Sequence, residues 1–259
     1  MSLFSLYGIK EVADVTFWTT GENSYPVLYL DTLKVSTIEE TGEQAEARGG
    51  KGNAPLIIWD YGKEITLTLE DALFSMKSMQ IMQGAKKVNA VTEIDRTKKV
   101  VFTKDNGVIK MPDFISKELF GEKGLQEVTV YIAAEEGDVK SGATSVKITS
   151  ATEVPEGMTE GTHIVVWTEK SAAEGSPLGQ KIEISSDTFP GTYKITGDTY
   201  ARNQETGEDE FFQFIIPLAK INPEQTITMQ ADGDPSTFSM TVRVLRPASG
   251  AMMELVKYK

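Results

Sequence analysis

The heptapeptide Glu64-Ile-Thr-Leu-Thr-Leu-Glu70 alternates between polar and apolar residues at every position. In an extended chain its apolar members share one side: Ile65, Leu67 and Leu69. Its polar members share the other side: Glu64, Thr66, Thr68 and Glu70. This period of two predicts a β-strand with one face in a core and the other face toward solvent.

The same alternation recurs in residues 237–244 near the end of the chain. Further strand patterns cover residues 28–38, 57–61, 193–200 and 211–216. The polar, glycine-containing segment between the last two strands has the composition of a hairpin turn. We therefore expect a mainly β fold, arranged as a β-sandwich or a barrel.

One segment has helical spacing instead, and it starts near Asp71 and stops at Gly84. Its apolar stripe consists of Ala72, Leu73, Met76 and Met79. An acid at the start and a glycine at the end favour one α-helix flanking the sheet. A second, short helical turn is predicted for residues 114–120.

The middle of the chain has a different character, because short strand patterns alternate there with polar, glycine-rich loops such as residues 135–138 and 172–176. Strong strand patterns lie on both sides of it. We interpret residues 126–189 as an inserted β-rich module and residues 1–125 and 190–259 as the core domain. The strand patterns of the insert are residues 127–133, 145–150 and 163–169.

Composition excludes several kinds of site. None of the 259 residues is a cysteine, so disulfides, thiolate nucleophiles and thiolate metal sites are ruled out. The only histidine, His163, stands at the start of a strand pattern, which indicates a structural residue rather than a catalytic base. A formal net charge of −12 argues against a surface that clamps DNA phosphates. No apolar run has the length of a membrane span.

No motif for enzyme chemistry is complete. The segment Arg48-Gly-Gly-Lys-Gly-Asn53 fails as a phosphate-binding loop because Ala45 occupies the first glycine position and Gly52 replaces the Ser or Thr. A nucleophile elbow and a dinucleotide fingerprint are missing as well. Trp18, Trp59 and Trp167 lie in apolar strand patterns and are predicted to be core residues rather than sugar-binding platforms. We therefore predict no enzyme activity, no cofactor and no metal.

One polar segment, residues 38–55, is long for a link between two strands that should pair. Its acids come first and its bases last. The acids are Glu39, Glu40, Glu43 and Glu46, and the bases are Arg48 and Lys51. A loop with an acidic part and a basic tip suits a contact with a copy of itself, in which charge sets register and specificity. A solvated, disordered loop is the alternative that physical chemistry leaves open.

At this segment the sequence resembles a known family. Thr41-Gly-Glu-Gln-Ala-Glu-Ala-Arg-Gly-Gly-Lys-Gly-Asn53, followed by Leu56-Ile-Ile-Trp-Asp-Tyr61 and Ile65-Thr-Leu-Thr-Leu-Glu-Asp-Ala72, is similar to the first half of tail tube proteins of tailed bacteriophages. The run from Asp234-Pro-Ser-Thr-Phe-Ser-Met240 through Val244-Leu-Arg-Pro247 to Met252-Met253 is similar to their last strands. The resemblance covers residues 1–85 and 190–259 but not the middle.

The resemblance implies a self-assembling structural protein of the virion tail. Six subunits form a ring whose inner sheets join into one barrel, and rings stack into a tube through which double-stranded DNA leaves without specific binding. The long loop reaches the adjacent ring, so its six charged residues are candidate stacking residues. The implied partners are a tape measure protein in the lumen, a tail terminator, and baseplate or tip proteins. Assembly is expected in the cytoplasm of the bacterial host, with no membrane involved.

Two more expectations follow from this resemblance. An acidic lumen repels DNA phosphates, and our candidates for lining it are Glu64, Thr66, Thr68 and Glu70. An inserted module on the outside of the tube leaves no room for a contractile sheath, so we expect a non-contractile tail. The alternatives are the inner tube of a contractile injection system and, from another class, an extracellular carbohydrate-binding or adhesin module.

Overall fold

The structure, a computed structural model, describes residues 6–85, 88–132, 144–171, 177–224, 226–227 and 237–258. The loops predicted at residues 135–138 and 172–176 lie outside these residues. The chain divides into two units: Met1–Val88 with Ile182–Lys259 form unit 1, and Asn89–Lys181 form unit 2.

The first part of the chain contains β1 (Tyr7–Ile9), β2 (Asp14–Trp18), β3 (Pro26–Leu30), β4 (Leu33–Gly49), β5 (Ala54–Asp71) and helix α1 (Met76–Gln83). The middle contains β6 (Val88–Val91), β7 (Glu93–Phe102), β8 (Lys104–Asp105), β9 (Val108–Ile109), a π-helix (Phe114–Glu122), β10 (Val128–Tyr131), β11 (Ser145–Ile148), β12 (Gly161–Lys170) and β13 (Gly179–Ile182). The last part contains β14 (Thr192–Asn203), β15 (Asp209–Ile221), β16 (Phe238–Val244) and β17 (Glu254–Lys257).

Unit 1 is built on one antiparallel sheet of nine strands, in the order β3-β2-β14-β15-β16-β5-β4, with β1 added to β14 and β17 added to β15. The path does not close, because β3 and β4 each lack a second neighbouring strand among the described residues. The prediction of a mainly β fold with a flanking α-helix is confirmed. The described strands form no closed barrel.

One face of this sheet carries the alternation predicted from the sequence. Ile65, Leu67 and Leu69 of β5 are buried. Met240 and Val242 of β16 pair with Leu69 and Leu67 and extend the same buried face. Burying a side chain of this size contributes roughly 1.5–3 kcal/mol relative to leaving it exposed, so this apolar face is the main source of stability for unit 1.

Helix α1 has a cap at each end. The Ser75 hydroxyl accepts a hydrogen bond from the Ser78 N–H at 3.0 Å, and Ser78 Oγ accepts one from the Ser75 N–H at 2.9 Å. Gly84 ends the helix with a φ of 67°, as the sequence predicted. A side chain at this position would meet the backbone of Phe189 at 2.2 Å, so the position requires glycine.

The predicted start of this helix was wrong. Asp71 is the last residue of β5, and Leu73 lies in the connection before the helix, where it is exposed. Asp71 Oδ1 accepts hydrogen bonds from the Thr32 hydroxyl at 2.5 Å and from the Leu73 N–H at 3.1 Å. These bonds hold a turn where the sequence suggested helix, and Ile81 and Met82 supply the buried contacts of α1 instead.

The two ends of the described chain meet on this sheet. Lys257 of β17 forms an ion pair with Glu210 of β15 at 2.6 Å and donates to the Tyr7 hydroxyl of β1 at 2.5 Å. Asn203 Nδ2 donates to Glu210 Oε1 at 2.9 Å. Hydrogen bonds from Asn203 and then Lys257 lower the pKa of Glu210, while Glu210 and then Tyr7 raise the pKa of Lys257. Strands β1 and β17 are thus held by charge as well as by backbone pairing.

Unit 2 has a four-stranded sheet of its own, in the order β11-β10-β12-β7. Phe102, Val165 and Trp167 form its core together with Ile115 of the π-helix, which lies where the second helical turn was predicted. The sequence placed the start of the inserted module at residue 126. Residues 89–125 belong with unit 2, because β7 pairs with β12 over its whole length.

Candidate functional site

Residues 38–55, predicted to be a long loop, form a hairpin. β4 runs through this segment to Gly49, and β5 begins at Ala54 and pairs with it. In the short turn between them, Gly50, Gly52 and Asn53 have φ values of 78°, 87° and 51°. The loop prediction was wrong because cross-strand pairing satisfies the backbone groups even though the side chains are polar.

The outer part of this hairpin extends beyond the neighbouring strand. β16 pairs with β5 from Thr66 to Asp71, and among the residues that the structure describes, 54–65 pair with β4 alone. The pairing shifts register next to Gly42, and Gly62 on the other strand has a φ of 64°. We call the part beyond these glycines, residues 43–61, the arm. A two-stranded hairpin without a third strand is marginally stable in water, so a partner surface would stabilise the arm.

One face of the arm, here called its apolar face, carries three large apolar side chains of β5. Its members pair across the two strands, as Tyr61 with Glu43, Trp59 with Ala45, and Ile57 with Ala47. The exposed fractions of Ile57, Trp59 and Tyr61 are 53%, 52% and 54%. Three large apolar side chains that lie side by side and open to solvent are typical of an interaction surface.

The opposite face of the arm is mixed: Leu56 and Ile58 are 67% and 50% exposed there, and its polar groups bond to one another. Arg48 forms an ion pair with Glu46, and Gln44 Nε2 donates to Asp60 Oδ1 at 2.8 Å. Two of the six candidate stacking residues, Glu46 and Arg48, therefore neutralise each other within one chain. The sequence predicted ion pairs between the acids of one copy and the bases of another. Glu46 and Arg48 are not available for such pairs, because they already pair with each other.

The other four candidate stacking residues are spread along the hairpin. Glu40 forms an ion pair with Lys63 at 2.5 Å. Glu43 lies at the inner end of the apolar face, and Lys51 lies in the turn at the tip. Glu39 lies below the arm, within the sheet. Glu39, Glu43 and Lys51 have no ion pair within the part of the chain that the structure describes.

Sequence reasoning missed the apolar face of the arm. Trp59 was predicted to be a core residue, and this was wrong because the strand pair that carries it has no covering layer among the described residues. Trp167 is buried as predicted, and Trp18 is half-buried. The missed signal lay in the partner strand: Gln44, Glu46 and Arg48 alternate with Ala45 and Ala47, which is unlike a strand that lies across a core.

Below the arm, the polar side of β5 is part of a wider sheet face. The predicted lumen candidates Glu64, Thr66, Thr68 and Glu70 follow each other along this side, as the alternation requires. Their cross-strand neighbours are Arg243, Thr241 and Ser239 on β16, and Thr41, Glu39, Thr37 and Val35 on β4. The structure thus brings one stacking candidate, Glu39, onto the same face as the lumen candidates.

This sheet face is mixed in charge rather than uniformly acidic. Arg243 forms an ion pair with Glu64, and Lys220 of β15 lies next to Arg243. Glu39 and Glu70 are the acids of this face that have no ion pair in the described residues. The face therefore contains threonines, one neutralised pair, two open acids and one lysine.

The described residues contain no group of three or more His, Asp or Glu side chains that could hold a metal ion. His163 is buried in β12, and its Nε2 lies 2.9 Å from the carbonyl oxygen of Thr159. No helix in the described ranges is long and apolar enough to cross a membrane.

Known proteins resemble the chain over nearly its whole length. A family model described as the YomU/Tube protein family matches residues 7–257. A protein of Bacillus phage SPR named "Tail tube protein" is 24% identical over 231 residues, which cover 86% of this chain and 78% of that protein. The resemblance to tail tube proteins, which we inferred from the two ends of the sequence, is confirmed. The family match also includes the middle of the chain.

Proposed function

Because the chain belongs to the YomU/Tube protein family, we propose that copies of it assemble into the hollow tube of a phage tail. A structural role of the tail tube kind follows from the family and from the name of the phage relative. The finer proposal is that six subunits form each ring, as the family resemblance implies. Rings then stack into a conduit for the genome.

The observation that carries this proposal is the apolar face of the arm. Ile57, Trp59 and Tyr61 are exposed in the single chain, on a two-stranded hairpin that gains little stability by itself. Leaving such a face in water is unfavourable, and covering it with another subunit removes apolar area from water. In an assembly this surface is covered by a neighbouring subunit, whereas in a monomer it would stay exposed to water.

The open sheet supports the ring. β3 and β4 are its two ends, and each has a backbone edge without a strand partner among the described residues. An edge of one subunit paired with the opposite edge of the next extends the sheet around a ring and satisfies both edges. Such head-to-tail contacts close into a ring when the rotation between subunits fits.

Stacking of rings is assigned to the arm. The proposed stacking residues are Glu39, Glu40, Glu43, Glu46, Arg48 and Lys51. They differ in whether they are paired within the chain or open to a neighbouring subunit. Glu46 with Arg48, and Glu40 with Lys63, are bonded within the chain. Glu39 lies within the sheet below the arm, so Glu43 and Lys51 are the charges of the arm that are open to a neighbour. The apolar face supplies the larger share of the contact energy, because exposed ion pairs contribute little.

The lumen is assigned to the polar face of the sheet, with Glu64, Thr66, Thr68 and Glu70 as lining residues. Besides threonine hydroxyls and the acids Glu39 and Glu70, this face has two cations: Lys220, and Arg243, which Glu64 already neutralises. Double-stranded DNA would pass such a wall without specific binding, since phosphate contacts require several Lys or Arg side chains together.

The proposed partners are those of a tail: a tape measure protein in the lumen, a terminator at one end, and baseplate or tip proteins at the other. The proposed location is the virion tail, after assembly in the host cytoplasm. We further propose that unit 2 lies outside the tube and that the tail is non-contractile. A sheath gene beside this one, or micrographs of contracted tails, would contradict that last point.

The test is assembly of the purified full chain. Raising its concentration should give rings or hollow tubes in negative-stain micrographs and a large sedimenting species. A protein that stays monomeric at all concentrations and binds polysaccharide through Trp59 and Tyr61 would instead support the carbohydrate-binding alternative.

A further inference from the structure

A second group of exposed apolar side chains lies at the opposite end of the β4–β5 ladder from the arm. Leu73 and Phe74 are 63% and 56% exposed, and the Phe74 ring lies 4.5 Å from that of Phe238. We call Leu73, Phe74 and Phe238 the corner. We propose that the apolar face of the arm in one copy of the chain binds the corner of a second copy. This inference rests on the proposed tube function and names the surface that receives the arm.

The corner is held in place by hydrogen bonds. Asp71 is nearly buried, and its Oδ1 accepts from the Thr32 hydroxyl and from the Leu73 N–H. These bonds hold the turn after β5, in which Leu73 and Phe74 remain more than half exposed. A fixed, exposed apolar turn loses little conformational entropy on binding, which favours its use as a contact site.

The positions of the two surfaces favour contact between copies in a head-to-tail sense. The ladder runs from the pair Leu33 with Asp71 at the corner to the pair Gly49 with Ala54 at the tip of the arm. At about 3.3 Å per residue, these ends are roughly 55 Å apart. An arm therefore does not reach its own corner, but it reaches the corner of a copy displaced along the ladder. A contact between two different surfaces adds subunits without limit, as a tube requires.

The two surfaces also match in chemistry. Ile57, Trp59 and Tyr61 stand at every second position of β5, so they present an aliphatic and two aromatic side chains in one row. Phe74 and Phe238 offer aromatic partners, which favour offset or edge-to-face contacts. At the rim, Glu43 of the arm and Lys77 of α1 are of opposite charge, and neither has an ion pair among the described residues. This charge pairing fixes the register of the contact.

The absence of cysteine from the chain allows a direct test in assembled material. One full-length variant carries Ala45→Cys, beside Trp59 on the apolar face, and a second, mass-tagged variant carries Ala72→Cys, next to Leu73 at the edge of the corner. Tubes grown from a mixture of the two are treated with a short bismaleimide. We expect a cross-linked dimer that contains one copy of each variant, and none from either variant alone.

A matched control replaces the second variant with Glu205→Cys, an exposed position in the turn between β14 and β15. This control mixture should give at least tenfold less cross-linked dimer. Equal cross-linking to Glu205→Cys, or cross-linking of Ala45→Cys to itself, would overturn the inference, the second because it shows contact between two arms.

A disruption experiment completes the test. Leu73→Ser changes an exposed side chain and should leave the thermal unfolding of the protein unchanged while it reduces tube yield at least tenfold. Normal tubes from Leu73→Ser would overturn the proposed contact but leave the proposed function intact. Failure of the unmodified chain to assemble at any concentration would overturn the proposed function, and the contact with it.

Discussion

Trp59 pairs with Ala45 across the β4–β5 ladder, and about half of the indole, 52%, remains exposed. An alanine opposite a tryptophan leaves the ring uncovered on a strand pair that has no third strand beside it in the described ranges. The same strand buries Leu67 and Leu69 eight and ten residues further along. One strand therefore serves the core at one end and an external surface at the other.

The first prediction concerns this residue. Trp59→Ser should abolish tube formation, because it removes the largest side chain of the apolar face. The free energy of unfolding should change by no more than about 0.5 kcal/mol, as is usual for exposed positions away from the core. Sedimentation and thermal unfolding measure the two effects. Val108→Ser, at another exposed apolar residue, is the control and should assemble normally; equal loss of tubes in both variants would contradict a special role for Trp59.

The second prediction removes the arm as a whole. Deleting residues 43–61 joins Gly42 to Gly62, and a Gly-Gly pair is suited to the two-residue turn of a hairpin. The shortened protein should fold with its core unchanged and remain unable to stack. Circular dichroism and electron microscopy check these outcomes. Normal tubes from the deletion variant would remove the arm from the stacking mechanism.

The third prediction concerns close packing inside the sheet. A Cβ added to Gly197 would lie 2.1 Å from the ring of Phe214, which pairs with it across β14 and β15. Gly197→Ala should therefore destabilise the protein by about 1–3 kcal/mol, the usual cost of overpacking. Denaturant unfolding measures the loss. Gly8→Ala, where nothing lies within 4 Å of the added carbon, should be close to neutral.

The fourth prediction concerns pH and strand β17. The lowered pKa of Glu210 means that its contacts stabilise the fold above the ordinary value of 4.5 and are lost as pH falls through the lowered value. The raised pKa of Lys257 means that its contribution is present below 10.5 and is lost as pH rises through the raised value. Hydrogen exchange of β17, corrected for intrinsic rates, should thus be slowest between these limits.

Glu210→Gln should remove most of the acid-dependent part of this protection. Glu205→Gln, on the nearby exposed turn, should leave it in place. Identical acid dependence in the Glu210→Gln variant and the unmodified protein would show that other groups hold β17.

The fifth prediction concerns unit 2. Its sheet and its core around Phe102, Val165 and Trp167 come from residues 89–181 alone. These residues, expressed by themselves, should unfold in one cooperative transition, because they contain a complete apolar core. Thermal unfolding followed by near-ultraviolet circular dichroism, which reports on Trp167, tests this. A molten species without a transition would show that unit 2 depends on the rest of the chain.

Much of the fold could be predicted from local pattern. The alternation at residues 64–70 and 237–244 was sufficient to assign both strands and their buried sides, because a period of two admits only one orientation toward a core. Gly84 was predicted correctly as the helix end, because glycine favours the left-handed conformation that ends helices. The start of α1 was predicted wrongly, because Asp71 bonds to Thr32, a residue far away in sequence.

The candidate site was harder to predict. The charges of residues 39–51 marked the segment as unusual, but polar composition suggested a loop where cross-strand pairing makes strands. Ion pairs such as Glu46 with Arg48 depend on which side chains share a face, and this required the register. Trp59 was misplaced because an apolar strand pattern does not reveal whether another layer covers it.

The sequence by itself determined the β class, the polar and apolar sides of β5 and the family resemblance, because these depend on residue order along one strand or one segment. The tertiary structure alone decided that the apolar residues of β5 after Glu64 are buried in a core, and that those before Glu64 form an open surface. The physical reason is that burial depends on neighbours: β16 accompanies β5 from Thr66 onward and stops there, so Trp59 and its neighbours are left for another molecule to cover.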